Sequence, residues 1–246
     1  FKETNKSKEN LIYFLDNGLI DNENYIFYIN YSFSSSIDFE QYKKKYKNLN
    51  ILNINSTNAW SCWFEIIKSV NIDDFNNFIF MKDKICGPFN KDNLKENWIE
   101  NIVSKLNDNQ VLIAGYATSP LAKIYKFPYI PDKFLCVNHT VLDLLITNNI
   151  FEKFTFKNTQ DFKNHPDNKN ISDNPDNGVE IILSKLLLDN NIEYCSIDTN
   201  GINNLNILKY YKEQNYIKLL EITKNLHIIN DTKIKNRFFW TDNIMK

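Results

Sequence analysis

Arginine, histidine and glycine are scarce in this chain of 246 residues. Arg237 is the single arginine, the histidines are His139, His165 and His227, and there are five glycines. So few histidines disfavour a catalytic triad and a metal site built from several imidazoles. The formal net charge of -1 provides no field that would attract nucleic acid, so we expect no nucleic-acid partner.

Paired cysteines and long apolar runs are also missing. The four cysteines, Cys62, Cys86, Cys136 and Cys195, form no Cys-x-x-Cys pair, and their wide spacing excludes a zinc ribbon. No apolar run approaches the roughly 18 residues of a transmembrane helix, and the polar residues 1–10 are unlike a signal peptide. We therefore expect a cytoplasmic protein without a membrane span (in the host cytoplasm if the source is a virus).

The common phosphate-binding and hydrolase signatures are absent. The chain has no Gly-x-Gly-x-x-Gly and no Gly-x-x-x-x-Gly-Lys-Ser/Thr, so a conventional dinucleotide site and a P-loop are unsupported. It also lacks Gly-x-Ser-x-Gly and His-Glu-x-x-His, which disfavours an α/β-hydrolase and a zinc protease.

The hydrophobic pattern of the first half predicts alternating strands and helices. Strands are predicted at 25–29, 49–54, 78–81 (FIFM, within 75–81) and 110–114, and helices at 8–20, 36–47, 60–70 and 98–106. Such alternation is typical of an α/β fold with a mainly parallel sheet and helices on both faces. Ligands bind beyond the carboxyl ends of such strands. One cleft is therefore expected among residues 30–32, 55–58, 82–84 and 115–118.

The second half has weaker patterns. The segment 118–134 contains three prolines and is predicted to be a loop over the cleft, and 156–178 is predicted to be a polar excursion. Helices are predicted at 138–147, 179–189 and 208–220, and a short strand at 194–197. At this length, one domain is the expectation.

The segment FIFMKDKICGPF, residues 78–89, is the most informative in the chain. An apolar strand ends in Lys82, Asp83 and Lys84 before a Gly-Pro-Phe turn. Two ammonium groups suit a diphosphate, whereas one carboxylate between them is a poor metal site. No cofactor is therefore required, although Mn²⁺ or Mg²⁺ held by Asp83 stays open. An ordinary polar turn after a strand is the other interpretation.

Several segments in order along the chain resemble a known family. They are FLDNGLIDNENYIFYINYS, NSTNAWSCWFEIIK, FIFMKDKICGPF, NWIENIVSKLNDNQVLIAG and VEIILSKLLLDNNIEYCSI. The series resembles the GT-A-like glycosyltransferases of bacteria, fungi and large DNA viruses, of the rhamnan-synthesis and viral-glycan type. The resemblance covers roughly residues 10–200, and Gly87-Pro88-Phe89 followed by Trp98 is its most specific part.

The resemblance implies a GT-A-like, Rossmann-type α/β fold in a single domain, 1–246. This domain would have two halves with different roles. About 10–120 would bind a nucleotide sugar, and about 121–246 would form the acceptor side. The implied reaction moves a sugar from a nucleoside-diphosphate sugar, uridine-linked by preference, to a hydroxyl of a glycan. The donor and the glycan acceptor are the expected partners. Since the first residue is Phe1, a place within a longer polypeptide stays open.

The resemblance also suggests which residues form the site. Glu180 is the expected base that deprotonates the acceptor, with charge complementarity at a helix N-terminus as the alternative. Trp60 and Trp63, in the second segment, can stack on a sugar or pack in the core. His139 can bind the acceptor or have a structural role. The expected donor-binding residues are Asn30, Tyr31, Asn55, Asn58, Trp63, Lys82, Asp83 and Lys84, and the expected acceptor-binding residues are Trp60, Asn138 and His139.

Two departures from the family pattern affect the functional interpretation. Ala59 stands where the family has an aspartate, and Lys82 and Lys84 stand where it has Asn and Ser. If the missing carboxylate helps to hold the donor, either the donor differs or activity is lost. The alternative function is therefore a non-catalytic module that binds a carbohydrate or a nucleotide sugar.

Overall fold

The computed structural model describes residues 5–31, 37–54, 58–82, 97–103, 106, 110–114, 134–153, 175–198, 201–204, 206–215, 217–219 and 221. Its elements, in chain order, are α1 (Asn5–Asn17), β1 (Phe27–Asn30), α2 (Phe39–Lys45), β2 (Leu49–Leu52), α3 (Ala59–Ser69), a 3-10 turn (Ile72–Asp74), β3 (Asn77–Met81), α4 (Trp98–Val103), β4 (Gln110–Ala114), β5 (Phe134–Asn138), α5 (His139–Thr147), α6 (Ile150–Lys153), α7 (Pro175–Asp189), β6 (Glu193–Asp198), β7 (Gly201–Asn204) and α8 (Ile207–Lys212). Among these helices, none has the length and apolar character needed to cross a membrane.

The strands form two sheets. β1 and β2 pair in parallel, and the other five strands lie in the order β3-β5-β4-β6-β7. In the larger sheet only β4 and β6 are parallel neighbours, because β5 runs against both β3 and β4, and β7 runs against β6. The fold is thus a mixed arrangement of helices and strands, and the expected mainly parallel pairing is met only by β1–β2 and β4–β6.

Both faces of the larger sheet are covered by apolar side chains. On β3, Phe78 and Phe80 pack with the cluster that includes α3, α5, α6 and α7, whereas Ile79 and Met81 pack with α1, α2 and α4. β1 and β2 contribute to the second cluster. The strands are therefore buried from two sides, and this explains why they are short continuous apolar runs rather than alternating ones.

β5 is one of the elements that the sequence predictions missed. Its residues FLCVN begin at Phe134, the last residue of the segment 118–134 that was predicted to be a loop, so that prediction was wrong for Phe134. Four successive residues of β5 are buried, because the strand lies between β3 and β4. β7 and α6 were also not predicted. α7 begins at Pro175, inside the predicted polar excursion, so that prediction was wrong for residues 175–178.

Candidate functional site

Asn30 lies at the carboxyl end of β1 and is 7% exposed. Its Oδ1 accepts a hydrogen bond from the Ile54 N–H at 2.7 Å, and its Nδ2 donates to the Ile54 carbonyl at 3.1 Å. The carboxamide is thus directed at the backbone that follows β2. The next residue, Tyr31, donates its backbone N–H to Leu52 and packs its ring 4.9 Å from that of Phe39.

Asn58 caps the start of α3. Its Oδ1 accepts from the Ser61 N–H at 2.9 Å, and the Asn58 N–H donates to the Ser61 hydroxyl at 3.2 Å. This reciprocal arrangement is a capping box, which satisfies two backbone donors that a helix N-terminus otherwise leaves unpaired. Asn55, the other asparagine of this segment that was predicted to bind the donor, lies outside the described residues.

The two tryptophans of α3 lie in the core. Trp60 is 3% exposed and Trp63 is 7% exposed, and their rings meet edge to face with centroids 5.0 Å apart. Phe151 of α6 lies 5.4 Å from Trp60, and Phe80 of β3 lies 5.3 Å from Trp63. The structure therefore favours core packing over a sugar-stacking platform for these two indoles.

Lys82 directly follows β3, and its Nζ lies 6.0 Å from the centre of the Trp63 ring. The residue as a whole is half-buried. Asp83 and Lys84 lie outside the described residues, and with them the proposed metal ligand. In the part of the chain that the structure describes, no group of three or more His, Cys, Asp or Glu side chains is arranged to hold a metal ion.

The predicted acceptor residues Asn138 and His139 lie at the opposite end of β3 from Lys82. β3 and β5 are antiparallel, so Asn138 pairs with Asn77 while Phe134 pairs with Met81. Asn77 and Met81 are four residue steps apart along β3, a distance of about 13 Å. The structure thus does not bring the acceptor residues to the strand end that carries Lys82.

Asn138 and His139 have local structural partners. Asn138 is the N-cap of α5 and accepts from the Val141 N–H at 2.9 Å. The Nδ1 of His139 lies 3.1 Å from the Phe75 carbonyl, and since a carbonyl only accepts, Nδ1 carries a proton. The other nitrogen, Nε2, lies 3.6 Å from Asp73 and 3.4 Å from Asp143.

Glu180 is the sixth residue of α7, because that helix begins at Pro175. The alternative interpretation, a charge in the first helical turn, is therefore wrong for this residue. Its side chain lies outside what the structure describes, so the role as base stays a prediction.

Asn48 is a polar residue that the sequence reasoning missed. Its Nδ2 lies 2.9 Å from the Ile20 carbonyl, 3.0 Å from that of Asn22 and 2.9 Å from that of Tyr25. Its Oδ1 is buried and accepts no hydrogen bond from the described residues. An Asn-rich sequence gives no signal that singles out this residue, because its partners are backbone carbonyls more than 20 positions away.

Comparison of the chain with models of known protein families, with curated proteins and with solved structures gave no match.

Proposed function

We propose that the chain is a glycosyltransferase that moves a sugar from a nucleoside-diphosphate sugar, uridine-linked by preference, to a hydroxyl of a glycan. The observation that carries the proposal is the half-buried residue Lys82, which directly follows the carboxyl end of β3. A cation at a strand end, beside the buried ring of Trp63, suits the departing diphosphate of such a donor. The order of sequence segments along the chain is the second support.

The proposed reaction is a direct displacement at the anomeric carbon. Glu180 accepts the proton of the acceptor hydroxyl while that oxygen forms its bond to the anomeric carbon. The bond from this carbon to the diphosphate oxygen breaks, and the electron pair leaves with the diphosphate. Lys82 and Lys84 offset the charge that develops on the leaving group, in the place that a divalent cation would take.

Ala59 favours a second function, the non-catalytic binding of a carbohydrate or nucleotide sugar. Ala59 is the first residue of α3 and packs against the apolar cluster of that face of the sheet. Its neighbour Asn58 offers a carboxamide that already caps the helix, and an amide cannot replace the missing carboxylate charge. A protein that had lost catalysis in this way would bind the donor without turning it over.

Calorimetric titration with uridine diphosphate and with uridine- and guanosine-linked sugars, in manganese and in EDTA, tests both functions. The transferase predicts selective binding of one nucleotide sugar, with slow release of the free nucleoside diphosphate when water replaces the acceptor. Binding without any release, even with a range of glycan acceptors present, would support the non-catalytic module. If no nucleotide, nucleotide sugar or glycan binds, both functions are wrong.

A further inference from the structure

The buried carboxamide of Asn30 takes the place of a peptide group in a β-ladder. The Oδ1 of Asn30 accepts a hydrogen bond from the Ile54 N–H, and its Nδ2 donates one to the Ile54 carbonyl. The last ladder pair of β1 and β2 is Asn30 with Leu52, so this side chain continues the pairing two residues further along the chain. A single side chain thereby joins β1 to the backbone that leaves β2.

This bond fixes one end of the connection from β2 to α3. At the other end, the capping box of Asn58 and Ser61 fixes the first turn of α3. Asn58 is one of the residues proposed to contact the donor, and Trp63, beside Lys82, belongs to the same helix. The position of Asn58 relative to β1 is therefore expected to depend on what holds Ile54, in addition to the core packing of α3.

We infer that Asn30 is a positioning residue of the donor site. It holds Ile54, which precedes the expected donor residues Asn55 and Asn58 in the sequence, instead of touching the donor itself. The inference rests on the proposed function, and it changes the role that the sequence suggested for this residue. Burial supports this role: Asn30 is 7% exposed and its carboxamide bonds to the Ile54 backbone, where an unmade hydrogen bond would leave buried polar groups unsatisfied.

Asn48 provides a matched control at the start of β2. Like Asn30 it bonds to backbone groups, but it donates to three carbonyls of the α1–β1 connection. It holds no backbone N–H of the β2–α3 connection. Its removal is therefore expected to lower stability without affecting Ile54.

The test compares Asn30→Ala with Asn48→Ala in two measurements on the whole chain. Hydrogen exchange without any ligand is followed in peptides that contain Ile54, and uridine diphosphate binding is measured by calorimetry. In Asn30→Ala we expect faster exchange at Ile54 and binding weaker by about tenfold, the equivalent of one lost hydrogen bond. In Asn48→Ala both quantities are expected to match the wild type. If Asn30→Ala does not fold, the same two measurements are made on Asn30→Ser, which keeps a small polar group at this position.

Unchanged exchange or unchanged affinity in the Asn30 variant overturns the inference. So does an equal loss of affinity in Asn48→Ala, since the effect would then be one of general stability. A wild-type chain that binds no nucleotide or nucleotide sugar overturns the proposed function instead. In that case the exchange data alone decide whether Asn30 holds the β2–α3 connection.

Discussion

The ammonium nitrogen of Lys82 lies 6.0 Å from the centre of the Trp63 ring, across the contact between β3 and α3. This separation is at the outer limit of a cation–π contact, which extends to about 6 Å. At this distance the ring offsets little of the ammonium charge.

Lys82→Gln is expected to weaken the binding of uridine diphosphate by about tenfold or more, because a hydrogen bond to a charged group is lost. Lys82→Arg keeps the charge and is expected to keep most of the affinity. Calorimetry at low and high salt measures both. Lys68→Gln is the matched control, since Lys68 also lies over a ring, that of Phe64 at 4.5 Å, but pairs with Glu65 on the surface of α3. A similar loss in the control would contradict a specific role for Lys82.

Glu180→Gln tests the proposed base. The substitution keeps the size of the side chain but removes the proton acceptor, so turnover is expected to fall by about 100-fold to 10,000-fold while donor affinity stays near the wild-type value. Release of uridine diphosphate in the presence of an acceptor glycan is the measurement. Glu65→Gln, which alters an exposed carboxylate paired with Lys68, serves as the control. Full turnover in Glu180→Gln would remove this residue from the mechanism.

Asn48→Ala is expected to lower the free energy of unfolding by about 1–3 kcal/mol, because three carbonyls of one connection lose their donor. Asn48→Asp is expected to cost more, since a carboxylate would then face those carbonyls. Urea denaturation measures both changes. Asn190→Ala removes an exposed carboxamide that donates to the Leu186 carbonyl, and its effect is expected to stay within about 0.5 kcal/mol. Equal losses at the two positions would contradict the role assigned to Asn48.

The thiols of β5 and β6 provide a prediction about pH. Burial raises the pKa of Cys136 to about 12, and burial together with the charge of Glu193 raises the pKa of Cys195 to about 12. An unfolded chain releases these protons at lower pH than the folded one, so the thiols contribute stability that is complete below the ordinary thiol pKa and is lost as pH rises toward 12. Burial also raises the pKa of Tyr42 to about 12, with a hydrogen bond to Asp16 adding to the effect, and this acts in the same direction.

Urea denaturation at about pH 8 and about pH 10 should therefore show a lower free energy of unfolding at the higher pH. The decline should be smaller in Cys136→Ala, which removes one of the contributing groups. Alkylation of the folded protein at about pH 8 is expected to leave Cys136 and Cys195 unmodified, since the thiolate is the reactive form. Rapid alkylation of either residue in the folded chain would contradict the assigned burial.

The local sequence predicted many of the helices and strands, but it predicted fewer of the contacts made by the candidate site residues. The apolar runs at β1, β2, β3 and β4 and the helical spacing of α3 depend on side chains that are close in sequence, and the structure has all five elements near their predicted positions. Asparagine was harder to interpret. The same carboxamide can contact a ligand, cap a helix or bond to a distant backbone, and the chain uses Asn58 and Asn138 as caps and Asn30 as a bond to Ile54.

The sequence by itself determined that the chain is a mixture of helices and short buried strands, because hydrophobic periodicity reports which side of each element is covered. Only the tertiary structure decided the direction and order of the strands. β5 runs against both of its neighbours, and this places Asn138 at the end of β3 that is opposite Lys82. The physical reason is that the same buried strand can pair in either direction, and the choice depends on residues that are distant in the sequence.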